Sequence, residues 1–312
     1  MKFSWYVAAL FLICFTTAGA QTPDSTQVSD STQVPDSLKA PVSMPQPVDT
    51  TWKHTGVAGL AATQVSLSNW AQGGQNAIAW TMRLEGKSEM TVPRWGWTNT
   101  YKFAYGQAKV GEKSLRKTDD QIDLASVLSY RGDHAINAYG AFTMKTQFDG
   151  GYSYDASDRR TAVSAFFDPA YLVESAGIEY KPSTLIKTRL GVALREVITS
   201  RFPSFADDPK TKTIERTKTE GGFESVTDLE LKLDGNVLFT SHLELFDPIN
   251  HLEKIILRSD NMVTAKVSKY IVVSLNLMLV NDVQVTSRTQ VKQMLTLGIN
   301  YSIFGDGSKP KK

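Results

Sequence analysis

The chain has 312 residues, with 34 Lys and Arg against 32 Asp and Glu, for a formal net charge of +2. That balance supplies no basic field for nucleic acid and no acidic tail. The mean hydropathy is slightly negative, too polar for a bundle of membrane helices. It suits a soluble domain or a β-barrel, where only alternate residues face lipid.

The N-terminus reads as an export signal. Lys2 supplies a positive start, Trp5 to Phe15 an apolar run, and Ala18-Gly19-Ala20 a small-x-small pattern, so residues 1–20 are expected to be a signal peptide cleaved before Gln21. A membrane anchor is the alternative, but the run is too short to span comfortably. A lipoprotein would need a small residue before Cys14, where Ile13 stands. Cys14 is the only cysteine, so the mature chain is expected to have no disulfide, thiol chemistry or Cys-based metal site. Residues 21–51 are low in complexity. Asp24-Ser-Thr-Gln-Val28 recurs as Asp30-Ser-Thr-Gln-Val34 before a Pro-rich stretch, which predicts a disordered linker, with a binding tail as the alternative.

From Gly56 to Phe304 the dominant period is two. Ile78, Trp80, Met82, Leu84 and Met90 share one parity, and Thr81, Arg83, Glu85 and Lys87 the other. A helix would mix these sets on every face, whereas a strand separates them. The pattern returns in Trp95–Gly106, Ile122–Tyr130, Arg189–Arg195, Asp228–Leu233, Val273–Leu279 and Leu295–Tyr301. About twelve such segments are present, an even number in the range of bacterial barrels. Alternate connections are short, at Thr91–Arg94, Arg131–His134, Lys181–Thr184, Asp234–Asn236 and Ser268–Tyr270. The others are longer, at Val110–Thr118, Asp149–Pro169, Thr199–Gly221, Asp247–Lys254 and Asn281–Gln290. The prediction is an all-β, transmembrane, antiparallel up-and-down barrel of about twelve strands over residues 52–304, with short periplasmic turns, long outer loops and a short tail over 305–312. A soluble up-and-down barrel shares the alternation but has no need of the loop asymmetry. No apolar run is long enough for a helical span.

Aromatic rings at both strand ends suit two lipid–water interfaces. Trp95, Trp97, Tyr130, Tyr180 and Tyr270 lie beside the short turns, while Trp70, Tyr105 and Phe148 lie near the long-loop ends and Trp80 just inside them. The alternative is a packed aromatic core.

Several stretches resemble a known family. Leu67-Ser-Asn-Trp-Ala-Gln-Gly-Gly74 is followed by an alternating strand pair, then Arg116-Lys-Thr-Asp-Asp120, Phe148-Asp-Gly-Gly-Tyr152 and Phe167-Asp-Pro-Ala-Tyr-Leu172. Their order and spacing resemble the family called domain of unknown function 3078, found in Bacteroidota and relatives, over nearly all of residues 52–304. The resemblance implies an outer-membrane barrel in a Gram-negative cell. It carries no assigned activity, so it transfers no functional residue.

The charged parity holds Arg83, Glu85, Lys87, Lys102, Asp123, Lys145, Glu179, Lys187, Arg189, Arg195, Glu224, Asp228, Glu230, Lys232, Glu244, Arg258, Asp260 and Lys266. All are expected to point into a narrow lumen. Either they pair and fill it, giving a structural or partner-binding barrel, or they line a narrow channel for small polar solutes. A lipid-acting enzyme is the third class. Ser241-His242 has the residue types of a nucleophile and base, but neighbours on a strand face opposite ways. His54, His134 and His251 show no ligand spacing, so no metal, cofactor or catalytic residue is assigned. The Trp70 loop, with Gln72-Gly73-Gly74-Gln75, reads as a tight hairpin loop or a surface ligand site. Membrane lipid, the barrel-assembly machinery, and an unidentified protein or small solute are the expected partners.

Overall fold

The structure, a computed structural model, describes residues 50–66, 75–132, 135–208, 210–250, 254–283, 286 and 288–304. The expected signal peptide, the linker to residue 49, Trp70 and its glycines, His134, His251 and the tail 305–312 lie outside the described residues.

Fourteen strands follow in chain order: β1 (Lys53–Val65), β2 (Ala77–Thr91), β3 (Trp95–Val110), β4 (Arg116–Tyr130), β5 (Ile136–Thr146), β6 (Gly151–Tyr154), β7 (Arg160–Ser164), β8 (Ala170–Tyr180), β9 (Ile186–Ile198), β10 (Thr217–Asp234), β11 (Val237–Pro248), β12 (Ile256–Lys266), β13 (Ile271–Asn281) and β14 (Gln290–Phe304). Twelve of them form one closed antiparallel barrel in the order β1-β14-β13-β12-β11-β10-β9-β8-β5-β4-β3-β2. The ring closes where β1 meets β14, with Val57 opposite Ser302 and Ala61 opposite Gly298. Closure leaves no unpaired edge, which a bilayer interior requires.

The period-two pattern becomes two faces. Side chains of the apolar parity point outward and remain exposed, including Leu60, Met82, Leu84, Ile178, Leu190, Val192, Leu277, Leu295 at 71% and Leu297 at 60%. So much uncovered apolar surface is incompatible with water as the surrounding solvent. It is the surface of a barrel that lipid covers. Among the described residues no helix is long and apolar enough to cross a membrane.

Connections alternate as expected, with short turns such as 92–94 and 235–236 and long loops such as 147–169 and 199–216. Two long segments carry structure that the composition hides. The expected loop Asp149–Pro169 contains the β6–β7 hairpin, which forms a separate two-stranded sheet. It is held to the wall by Arg116, which pairs with Asp158 and stacks over Tyr154 at 4.0 Å. The expected loop Thr199–Gly221 ends earlier, because Thr217–Gly221 pairs with Leu194–Ile198 as the start of β10.

Gly177 and Gly191 face each other across β8 and β9. A Cβ at Gly177 would collide with the Leu190 carbonyl, and one at Gly191 would lie 2.6 Å from the Tyr139 hydroxyl. Glycine at both positions therefore lets the two strands approach while the Tyr139 ring leans over them from the lumen.

At the long-loop end Asp168 ties two connections together. It is 4% exposed and accepts hydrogen bonds from the Thr199 hydroxyl (2.5 Å), the Ser200 amide (3.1 Å) and the Arg201 amide (2.7 Å). Burial pushes its carboxyl up, but the Thr199 hydroxyl, the Arg201 and Ser200 amides and the Arg201 charge outweigh that and hold it below its ordinary value. A depressed carboxylate stabilises the fold above its unfolded pKa of about 3.9 and loses that contribution as pH falls through the folded value. Amide-exchange protection at Ser200 and Arg201 is therefore expected to persist at neutral pH, to begin to weaken only below about pH 4 and to be lost as pH falls on through the depressed folded value. In Asp168→Ala it is expected to be absent at every pH. Protection that ignores both acid and the substitution would contradict this anchoring role.

Candidate functional site

The lumen is built from the charged parity. Because antiparallel register sets which residues oppose each other, the inward charges form rows of alternating sign. In the first row Glu85, Lys102, Asp123 and Lys145 stand opposite one another from β2 to β5. In the second Glu179 opposes Arg189, and Glu244 opposes Arg258, with Val226 between the pairs. In the third Lys187, Asp228, His242 and Asp260 oppose in turn, followed by Met278 and Lys292.

Contacts join the rows across the interior. Lys145 on β5 pairs with Glu244 on β11. Lys292 on β14 reaches Asp119 on β4 at 2.6 Å, and Arg83 on β2 joins the same carboxylate at 3.4 Å. Arg195 on β9 pairs with Glu220 on the neighbouring strand at 3.1 Å and with Asp282, just past β13, at 3.2 Å. The Lys145, Lys292 and Arg195 contacts link β5 to β11, β14 to β4 and β9 to β13, each four steps apart around the ring of twelve. Such links run through the lumen and not along its wall. Lys187 holds Glu179 at 2.7 Å, and the Ser129 hydroxyl donates to the same carboxylate at 3.3 Å.

His242 lies inside this network. Its Nδ1 is 2.5 Å from Asp228 and its Nε2 is 2.9 Å from Glu244. A neutral imidazole donates through one nitrogen only, so two carboxylate partners call for the imidazolium form. Ser241 faces the outer side, where its hydroxyl donates to Asn261 at 2.7 Å. The pair thus opens on opposite faces, and with both His242 nitrogens committed to carboxylates it is no nucleophile–base arrangement.

Below the network a cavity of about 840 Å³ reaches the short-turn end, where Arg131, Lys181 and Thr184 line it. Its walls carry eight Lys or Arg and ten Asp or Glu side chains, so neither sign dominates. Of the residues singled out in the sequence, Arg83, Glu85, Lys87, Lys102, Asp123, Arg189, Asp228 and Glu230 line this vestibule. Lys145 and Arg195 lie in the cross-lumen contacts. Arg258 is inward opposite Glu244 and 4.0 Å from the Met278 sulfur, and Lys232 stands opposite Leu238, exposed beside the β10–β11 turn. No group of three or more metal-ligating side chains occurs among the described residues.

Asp119, Glu220, Asp282 and Lys292 belong to the network, although their types and parity alone do not select them. Asp119 and Lys292 sit near strand ends, and Glu220 and Asp282 fall in stretches read as loop. Tyr139 and Tyr171 are inward aromatics, stacked beneath Arg189 (5.6 Å) and Arg195 (5.4 Å). The described interface aromatics Trp80, Trp95, Trp97, Tyr130 and Tyr180 lie on the outward parity, and Tyr270 closes the β12–β13 turn. Trp95 packs edge-on against Tyr130 at 4.9 Å, and the Tyr130 hydroxyl accepts from Arg94 at 3.0 Å.

A closed antiparallel ring, apolar outside and ionic inside, defines a transmembrane β-barrel. The family model described as Protein of unknown function (DUF3078) matches residues 62–152. The expected resemblance therefore holds from the end of β1 to β6. Among solved structures, the translocator domain of the autotransporter NalP from Neisseria meningitidis is similar with a TM-score of 0.37 at 10% identity, over 80% of this chain and 87% of that one. An outer membrane channel from Pseudomonas putida F1 is similar with a TM-score of 0.37 at 10% identity, over 83% and 96%. The KdgM porin is similar with a TM-score of 0.29 at 10% identity, over 80% and 99%. No curated protein matches the chain.

The network implies unequal energetic roles for its ion pairs. The side chains of Lys145 and Glu244 are 17% and 23% exposed, whereas those of Lys87 and Glu89 are 47% and 44% exposed. A double-mutant cycle of Lys145→Ala and Glu244→Ala, read from urea unfolding in detergent, is expected to give a coupling of about 0.5–3 kcal/mol. The exposed Lys87–Glu89 pair should give no more than about 0.2–1 kcal/mol. Equal coupling in both cycles would show that the cross-lumen contact contributes no more than an exposed surface pair.

Proposed function

We propose that the chain is an outer-membrane barrel of a Gram-negative cell whose lumen is closed at rest, and that it serves as a structural or partner-binding protein and not as an open pore. The export pattern at Lys2–Ala20 supports delivery across the inner membrane, with residues 21–51 as an exported linker and 305–312 as a short tail. Insertion then falls to the barrel-assembly machinery. The short turns face the periplasm, as do both termini of the barrel's chain, and the long loops face outward. Lipid contacts the exposed apolar parity, and the interface aromatics anchor it at the two rims.

The observation that carries closure is the set of ion pairs joining strands four steps apart, Lys145–Glu244, Lys292–Asp119 and Arg195–Asp282. Each places a long Lys or Arg side chain, held by a carboxylate, across the path a solute would take. A second reading, a narrow channel for small polar solutes, is favoured by the vestibule that reaches the short-turn end. A lipid-acting enzyme has the least support, since Ser241 and His242 open on opposite faces.

Planar-bilayer recording separates the first two readings. The wild-type barrel is expected to show little steady conductance. Lys145→Ala combined with Asp119→Ala, which together release Glu244, Lys292 and Arg83, is expected to produce long-lived openings. Large, stable openings in the wild type would overturn the closed reading.

A further inference from the structure

Among the described residues, the buried charges of the lumen have partners except Arg189. Its residue is 6% exposed, it lines the vestibule, and its Nε and Nη1 have no hydrogen-bond partner among the described residues. The Tyr139 ring, at 5.6 Å, covers one face of the guanidinium but accepts no N–H in its plane. A buried guanidinium with two of its three nitrogens left without acceptors calls for an explanation in an unseen group.

The surrounding carboxylates are already committed. Glu179, directly opposite Arg189, is taken by Lys187 and Ser129. Asp228 is taken by His242. The remaining acid is Glu224, which faces Gly191 across the β9–β10 pair and so lies diagonally from Arg189. Such diagonal neighbours are about 7–8 Å apart. Glu224 also lines the vestibule and makes no ion pair or hydrogen bond among the described residues. One uncommitted cation and one uncommitted anion thus stand side by side on the vestibule wall without touching.

We propose that Arg189 and Glu224 form a binding site for a small zwitterion of the amino-acid or short-peptide class, entering from the short-turn end. Its carboxylate accepts from the Arg189 guanidinium, and its ammonium donates to Glu224. The fit is one of charge order. An anion alone would answer Arg189 but leave Glu224 repelling it, and a cation alone would do the reverse. A ligand with both charges leaves the vestibule balance unchanged. The site uses the vestibule and not the closure above it, so its test is independent of the conductance result.

Calorimetric titration of the full chain in detergent with glycylglycine tests the assignment. Acetate and ethylammonium serve as single-charge comparisons. Saturable binding of glycylglycine is expected, at least tenfold tighter than either comparison. Arg189→Gln and Glu224→Gln should each weaken it at least tenfold, while Arg159→Gln, exposed in the β6–β7 turn outside the vestibule, should leave it unchanged. Heat-modifiable gel migration reports whether each variant is folded. If Arg189→Gln does not fold, Arg189→Lys carries the same expectation, because it keeps the charge but loses the planar fork. Absence of saturable binding to the wild type, equal binding of acetate, or undiminished binding to folded Arg189 or Glu224 variants would each overturn the proposal.

Discussion

A strand in lipid cannot leave its N–H and C=O groups unpaired, and the pairing of β1 with β14 is the contact that satisfies this demand. Eleven hairpin-like or loop-connected pairings would still leave two bare edges. Closing the ring removes both, and it also fixes how every inward side chain faces every other. The chain meets the join with small residues. Gly56, Ala58, Gly59 and Ala61 on β1 run beside Gly298 on β14, and a Cβ at Gly298 would come within 2.9 Å of the Leu60 carbonyl.

Once the ring is closed, the remaining problem is charge. Confining carboxylates and ammonium groups inside a low-dielectric wall is costly unless they are paired. The register solves most of it by placing opposite signs on neighbouring strands, as in Glu85–Lys102–Asp123–Lys145. Cross-lumen contacts finish it by joining the rows, so that Asp119 gathers Arg83 and Lys292 and Glu244 gathers Lys145 and His242. The same contacts that neutralise the interior obstruct it. Stability and closure therefore share residues, and substitutions that open the lumen should also weaken the barrel.

The faces of the strands were legible in the sequence because side-chain parity is a local property. Ile78–Met90 alone separates its lipid side from its lumen side. The strand count and the alternation of loop lengths followed from the same local signals. Register and closure are not local. Nothing around Lys145 points to Glu244, which lies 99 residues later, and only the curvature of the ring brings them together. The β6–β7 hairpin was hidden because its strands are only 4 and 5 residues long, and Asp168 because an Asp before Pro169 reads simply as a turn. Arg189 was legible as inward-facing, but its lack of a partner depends on where Lys187 and His242 send their own hydrogen bonds.

Spin labels placed singly along Val291–Tyr301 give the most direct test of the central claim, that one parity of each strand meets lipid and the other meets an ionic lumen. In reconstituted bilayers, labels at Val291, Leu295, Leu297, Ile299 and Tyr301 should be accessible to oxygen and shielded from a water-soluble nickel complex. Labels at Lys292, Met294, Thr296 and Asn300 should show low oxygen accessibility. A period-two oscillation of this phase supports the account. A flat profile, or one in which the Leu295 and Leu297 positions contact water, would contradict it.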